Sequence, residues 1–336
     1  MKIVKIAFPT ILMFCLIGCS NKQNMEEIND VGYVQGTTFN IKYLNEASHG
    51  FKIQIDSLFL LVDNSLSTYV SKSLVSRVNK TDTLVEIDEH FARVLKKSME
   101  LSKESKGLFD VSIGPLAELW GFGLSERGRI DSASVDSIKE FVNFRNIKIK
   151  GDSVLLPEGM RMDFNAIAQG YTVDLIAEFF IEKGVGNFMI EVGGEIRTKG
   201  KNAKGKTWRI GIDKPTEKMD PDNRLQAIIS LENASLATSG NYRKFWVDEK
   251  TGLKYAHTLN PRTGFPAKNR LLSVSVIAPT AMEADGYSTM AMVLGLKKAI
   301  ELFESKEFIE AYFIYSNEDE EMEVYSTSGF KKYLIN

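Results

Sequence analysis

Histidine and cysteine are scarce in this sequence of 336 residues, which holds three of the first and two of the second. Both cysteines, Cys15 and Cys19, sit near the N-terminus. The body of the chain can therefore build no disulfide, no thiolate zinc site and no dithiol redox pair. No HxxxH or CxxC spacing occurs, so any metal would be a hard cation held by oxygen. Charge of one sign is missing too: 42 Lys and Arg against 44 Asp and Glu leave a net −2, with signs interspersed, which gives no nucleic-acid footprint. No fixed-period repeat and no Pro- or Gly-rich linker divides the chain. Roughly 300 residues of ordinary composition then read as one large domain or two closely packed lobes.

Long apolar runs are also absent, and the one run present is short. Lys2 and Lys5 precede IAFPTILMFCLIG, which cannot span a bilayer as a permanent helix and has the layout of a secretory signal. It closes on Leu16-Ile17-Gly18-Cys19, which resembles the bacterial lipobox, whose cysteine is lipidated and becomes the mature N-terminus. The alternative is an ordinary signal with an incidental cysteine. On the lipobox reading residues 1–18 leave, 19–32 form a flexible polar tether and 33–336 form the working domain. The protein would then sit on the periplasmic side of a bacterial membrane, anchored through Cys19. Ser20 does not enforce retention at the inner membrane.

Periodicity places the elements. A strand is expected from Tyr33 to Tyr43, then a helix over 51–63 with Ile53, Ile55, Leu58, Leu61 and Val62 largely to one side. A second helix opens at a capping Asp88 and stops at Gly107; a third covers 132–142. IKIKGDSVLL reads as a hairpin turning at Gly151-Asp152, and AQGYTVDLIAEFFIEKG as a helix closed by Gly184. The remainder is mostly strand, at 187–198, 207–213, 225–232, 243–257, 271–278, 308–316 and 322–326, interrupted by helices over 280–305. Helices and antiparallel hairpins mix without a βαβ rhythm, so the expected class is α+β with mostly antiparallel sheets and packed helices.

Residues 200–207, GKNAKGKT, fit the phosphate-binding template G-x-x-x-x-G-K-[ST] letter for letter. That loop works only where a helix comes next, because backbone N–H groups and the helix's positive end hold the phosphates. The chain instead continues WRIGIDKP, with Trp208, Ile210 and Ile212 at period two. The stretch therefore reads as the lysine-rich turn of a hairpin.

Three constellations could carry chemistry. His49, beside Gly50, and His90, in a helical first turn, read as solvated. His257 lies in YAHTLNPRTGFPA, where Pro261, Gly264 and Pro266 can fix a side chain in place; on local sequence it could equally be a surface histidine. Asp285 and Thr289 stand four apart in TAMEADGYSTMAMVLG, with Ser288 adjacent, so their oxygens face one way from a helix and suit Mg²⁺. In GLFDVSIGPLAELWGFG, glycines alternate with Phe109, Trp120 and Phe122, which suits a planar heteroaromatic ligand or a buried loop equally.

Taken together these segments resemble the FAD:protein FMN transferase family, in unbroken order from about residue 35 to 330. Gln35-Gly36-Thr37 resembles the family's Met-Gly-Thr, with Gln35 departing. Ser67-Thr68-Tyr69, Ser73 and Asn79 come next, as do DFNAIAQGYTVD, EVGGEI, ATSGNY and HTLNPRTGFP. The resemblance implies flavin and adenine contacts at Gln35, Tyr69, Leu108, Phe109, Asp110, Asp163, Gln169 and Leu259. It implies Mg²⁺ on Asp285, Ser288, Thr289 and the backbone oxygen of Ala166, and a catalytic role for His257. Asn165, Gln169 and Asn260 depart from the usual small residue, Lys and Asp, and the loss of a cation at Gln169 could loosen the hold on FAD's pyrophosphate. The implied activity is Mg²⁺-dependent transfer of FMN from FAD to a Thr or Ser hydroxyl of another protein, releasing AMP. The implied acceptors are subunits of membrane redox complexes, with no nucleic acid involved. Two alternatives are an FAD pyrophosphatase with water as acceptor and a non-enzymatic flavin-binding lipoprotein.

Overall fold

The computed structural model describes residues 25–46, 49–123, 130–216, 223–241, 245–247 and 254–335. The signal, Cys19 and the first part of the tether lie outside the described residues. The chain opens on a hairpin of β1 (Met25–Val34) and β2 (Thr37–Glu46), paired without a gap from Met25↔Glu46 to Val34↔Thr37. The tether expected to reach residue 32 is therefore corrected, because strand begins at Met25. β1 is mostly exposed and so has no apolar period to read; it forms because β2 satisfies its backbone groups.

Next come α1 (Lys52–Leu66), α2 (Leu74–Val78), β3 (Val85–Glu86) and α3 (Glu89–Glu104). Ile55, Phe59, Val62 and Leu66 make the buried stripe of α1, whereas Ile53 is 78% and Leu61 47% exposed, against expectation. α3 starts as its sequence indicates, with Asp88 Oδ1 accepting the Phe91 N–H at 2.8 Å. His90, expected to be solvated, is instead packed: its side chain is 12% exposed and its Nδ1 lies 2.7 Å from the Tyr171 hydroxyl. After α4 (Gly114–Leu119) and α5 (Ser132–Lys139), the hairpin of β4 (Lys148–Lys150) and β5 (Ser153–Leu155) turns at Gly151, whose φ is +55°. α6 (Ala168–Glu182) stops at Gly184, with φ +77°.

Strands then dominate: β6 (Phe188–Val192), β7 (Glu195–Lys199), β8 (Trp208–Asp213), β9 (Leu225–Leu231), β10 (Ser235–Gly240), β11 (Phe245–Val247), β12 (Lys254–Ala256) and β13 (Leu271–Ala278). The helices expected over 280–305 are α7 (Ala281–Leu294) and α8 (Leu296–Glu304), separated at Gly295 with φ +78°. β14 (Glu310–Ser316) and β15 (Met322–Ser326) complete the strands. Eight strands form one antiparallel sheet in the order β1-β2-β6-β7-β10-β13-β14-β15, as the α+β expectation requires. The sheet is covered on both faces. Phe313 of β14 packs with residues of α3, α7 and α8, while its neighbours Tyr312 and Ile314 pack with Ile210, Ile212, Ile229 and Leu231 of the β8–β9 hairpin.

Residues 200–207 join β7 to β8, so a strand lies on either side and the phosphate-loop reading fails as expected. The hairpin reading is corrected, since β7 pairs with β6 and β10 while β8 pairs with β9 in a separate sheet. Asn202 organises the turn: its Oδ1 accepts the N–H of Lys204 at 2.9 Å and of Lys206 at 3.2 Å. Lys206→Ala should accordingly leave turnover unchanged. A steady-state assay that showed a tenfold loss would restore a role in nucleotide binding.

Candidate active site

Two glycine turns at one end of the sheet surround the N-terminus of α6. In the β1–β2 turn Gln35 and Gly36 both take positive φ, +51° and +74°. The non-glycine Gln35 tolerates this conformation because its amide donates to Asp63 Oδ1 at 3.1 Å and to Thr172 Oγ1 at 3.2 Å. In the β6–β7 turn Gly193 has φ +69°, and a Cβ there would lie 3.0 Å from Gln169 Nε2 and 3.0 Å from Thr37 Cγ2. Gln35, Thr37, Gln169 and Gly193 thus gather around the start of one helix, most of whose first N–H groups already have partners: those of Ala168, Gly170 and Tyr171 donate to the Phe164 carbonyl, Asp285 Oδ2 and the Ile167 carbonyl.

α6 and α7 cap each other. Asp174 of α6 accepts the Ala281 N–H at 2.9 Å and the Met282 N–H at 2.9 Å, and Arg197 donates to it at 2.6 Å. In return Asp285 Oδ2 of α7 accepts the Gly170 N–H of α6 at 3.0 Å. A regular helix would give that N–H to the carbonyl of Ala166; among the described residues that carbonyl accepts no backbone hydrogen bond. The exchange needs close packing. A Cβ on Gly170 would stand 2.4 Å from the Ala281 carbonyl oxygen and 2.8 Å from Asp285 Cβ. Gly170→Ala should therefore force the helices apart and cost about 1–3 kcal/mol, read as a lower denaturant midpoint. An unchanged midpoint would mean that α7 moves aside freely.

A cluster of hard oxygens sits on this contact. Asp285, Ser288 and Thr289 share one face of α7. Ser239 of β10 joins them, its Oγ 2.8 Å from Ser288 Oγ and 3.3 Å from Thr289 Oγ1. Burial pushes the Asp285 carboxyl up to about 7; the Gly170 N–H opposes this and the Asp174 charge adds to it. A buried carboxylate with that desolvation penalty, beside three hydroxyls and an open carbonyl, is a donor set suited to Mg²⁺. Among the described residues no group of three or more His, Cys, Asp or Glu forms a competing metal site.

The expected flavin contacts divide in two. Tyr69 is 57% exposed, and its hydroxyl is shifted up by burial and then by the charge of Asp163, with an Asn165 hydrogen bond opposing. Asn165 also donates to both oxygens of Asp163, at 2.7 Å from its N–H and 3.1 Å from its amide. Burial is the main cause that raises the Asp163 carboxyl. Asn79 holds this segment by bonding Met162 in both directions, at 2.8 and 2.7 Å. Leu108 is half-buried. Phe109, Asp110 and Leu259 are buried. The Asp110 carboxylate is engaged within the protein: Oδ1 accepts from Ser112 N–H and Oγ at 2.9 and 2.6 Å, and Oδ2 from the Phe144 N–H at 3.0 Å.

His257 immediately follows β12, as the sequence indicates, and its ring meets Phe122 edge-on at 6.3 Å between centroids. Thr258 donates to Asn241 Oδ1 at 2.9 Å, which ties the histidine loop to the end of β10 two residues beyond Ser239. Trp120 Nε1 donates to the Gly264 carbonyl at 2.8 Å and fastens the other side. Asn260, where Asp is usual, still serves: its Oδ1 accepts the Arg262 N–H at 2.9 Å and the Thr263 N–H at 3.3 Å. Cys19 lies outside the described residues. Ser239 and Asp174 were missed by sequence reasoning; both lie in segments it singled out, ATSGNY and DFNAIAQGYTVD, but nothing local shows that they meet α7.

A hard-oxygen cluster suited to Mg²⁺ and a histidine loop at one end of the sheet suit a phosphoryl-handling enzyme. The chain belongs to the ApbE family, whose profile matches residues 35–313. It is 34% identical to the FAD:protein FMN transferase of Haemophilus influenzae over 355 residues, covering 98% of each chain. It is 33% identical to that of Vibrio cholerae over 340 residues, again covering 98% of each. Two solved structures are similar: the flavin transferase ApbE of Vibrio cholerae, with TM-score 0.83 and 32% identity over 92% of this chain and 100% of that one, and the apo flavinyl transferase ApbE of Pseudomonas stutzeri, with TM-score 0.81 and 30% identity over 92% and 96%.

Proposed function

We propose that this chain transfers FMN from FAD to a Thr or Ser hydroxyl of an acceptor protein, with Mg²⁺ bound at Asp285, Ser288, Thr289 and the carbonyl of Ala166. The observation that carries this reading is the oxygen cluster built where α6 and α7 cap each other, on a chain of the ApbE family. When bound, Mg²⁺ offsets negative charge on the pyrophosphate of FAD. The side-chain amide of Gln169, beside the Gly193 turn, orients the phosphates. Tyr69, held beside Asp163 by Asn165, offers a flat exposed face to a ring. His257 takes the proton of the acceptor hydroxyl as its oxygen attacks the flavin-side phosphorus. The bond from that phosphorus to the bridging oxygen breaks, and AMP leaves carrying that oxygen.

Incubation with FAD, Mg²⁺ and a candidate acceptor, followed by in-gel flavin fluorescence, tests the reading. A fluorescent acceptor band and one AMP per band is the expected result. Free FMN with no band would make the chain an FAD pyrophosphatase, and neither product would leave a flavin-binding protein. The lipobox supports a further part of the proposal, that Cys19 anchors the chain on the periplasmic face, where subunits of membrane redox complexes present acceptor hydroxyls.

A further inference from the structure

The lysine-rich turn has no part in the site, and its place in the fold gives it another use. Strand register puts it at the anchor end of the sheet. Met25 opposes Glu46, the last residue of β2; further along, Tyr43 opposes Phe188, and Phe188 opposes Lys199. Leu44 N–H donates to the Asn187 carbonyl at 3.0 Å, and Asn187 Oδ1 accepts the Lys201 N–H at 2.8 Å. The turn is therefore bonded to the same strand ends from which β1 leads back to Cys19. Cys19 and Met25 are six residues apart (25 − 19), a reach of at most about 20 Å. The glycine turns of the site lie at the opposite end of the strands, about 30 Å away along ten residues of β1.

The charge of this end suits one occupant. Between Glu195 and Asp213 the sequence has no acidic residue, and Lys201, Lys204 and Lys206 are exposed. Among the described residues none of the three pairs with a carboxylate. Among the acids at this end Glu46 faces His49 at 3.3 Å, and Glu26 and Glu27 lie on β1, separated from β7 by β2 and β6. We propose that the 199–206 turn is a docking surface for the anionic phospholipid headgroups of the membrane that holds the anchor. It would set the molecule on end, with the glycine turns and α6 directed away from the bilayer. The inference rests on the anchored reading of Cys19 only for orientation, since the electrostatic contact exists without it. Each lysine near an anionic surface strengthens the contact by about five-fold.

The test uses the full, lipidated chain in vesicles. Apart from the blocked Cys19 the mature protein has no cysteine, so Ala203→Cys accepts a polarity-sensitive fluorophore at one position, and Lys72→Cys does so near Tyr69. On vesicles containing phosphatidylglycerol the label at 203 should shift to the blue and the label at 72 should not. High salt, pure phosphatidylcholine, or Lys201→Glu/Lys204→Glu/Lys206→Glu should abolish the shift, while FMN transfer to a soluble acceptor stays at the parental rate. Equal emission at 203 on both lipids overturns the proposal, and so does a shift that needs an acceptor protein and no vesicle. Flotation with phosphatidylcholine alone reports the anchor separately. A chain that fails to float there refutes the anchor, and the 203 label on phosphatidylglycerol vesicles still decides the surface.

Discussion

Asp285→Asn should bind FAD with the same affinity whether or not Mg²⁺ is present, and should transfer FMN more slowly by a factor on the order of 10³, equivalent to the several kcal/mol a bound cation contributes as a Lewis acid. Asparagine keeps an oxygen for the Gly170 N–H, so the mutual capping of α6 and α7 survives and the loss isolates the charge. A second readout comes from pH. The unfolded carboxyl titrates near 3.8 and the folded one at about 7. Between these values the metal-free folded chain holds a proton that the unfolded chain has released. The stability due to this group therefore falls as pH rises from about 4 to about 7 and stays at its lower level above that. Mg²⁺ must displace the same proton, so the rise in Tm that it causes should grow across that window. Both slopes should vanish in Asp285→Asn. A variant that still shows Mg²⁺-dependent FAD affinity would remove Asp285 from the metal set.

His257→Ala should behave in the opposite way. FAD and Mg²⁺ still bind, because neither the oxygen cluster nor the start of α6 depends on the imidazole, but the acceptor hydroxyl keeps its proton. The expected loss in kcat is about 10²–10⁴-fold, the range for removal of a general base. An unassisted hydroxyl is too weak a nucleophile to make up the difference. FAD titration by its own fluorescence separates the two variants, since only Asp285→Asn loses the Mg²⁺-dependent step. Transfer at the parental rate by His257→Ala would leave the residue a structural histidine held against Phe122.

Much of this architecture is legible in the sequence where the signal is local. The Asp88 cap, the Gly151 turn and the Gly184 stop each depend on a few adjacent residues, and each is where the pattern places it. The failures involve partners far along the chain. β10, SLATSG in sequence, carries no strand signature because it runs beneath α7, where Ala237, Ala278 and Ala284 meet and only small side chains fit. The β8–β9 hairpin looks continuous with β7, yet it turns away to cover the other face of the sheet. Ile53 and Leu61 fit a helical period as well as Phe59 does, and only the position of the sheet decides which are buried. In the site, the Asp285-x-x-Ser288-Thr289 spacing suffices to bring three oxygens together. Nothing in it reveals that Asp110 turns inward to Ser112 and Phe144, or that Ser239 completes the group.

The unbroken β1–β2 ladder has a mechanical consequence for a chain held at Cys19. Load on the tether enters at Met25 and runs along the axis of β1, toward the end of the sheet from which the strand emerges. Ladder hydrogen bonds lie across that axis, so the pull acts on them in shear, and the rungs from Met25↔Glu46 to Val34↔Thr37 carry it together. Were the tether attached at the Val34 end, the same load would peel the strand away one rung at a time. An edge strand with almost no buried side chains can thus serve as a firm attachment, because the direction of pull recruits its whole length.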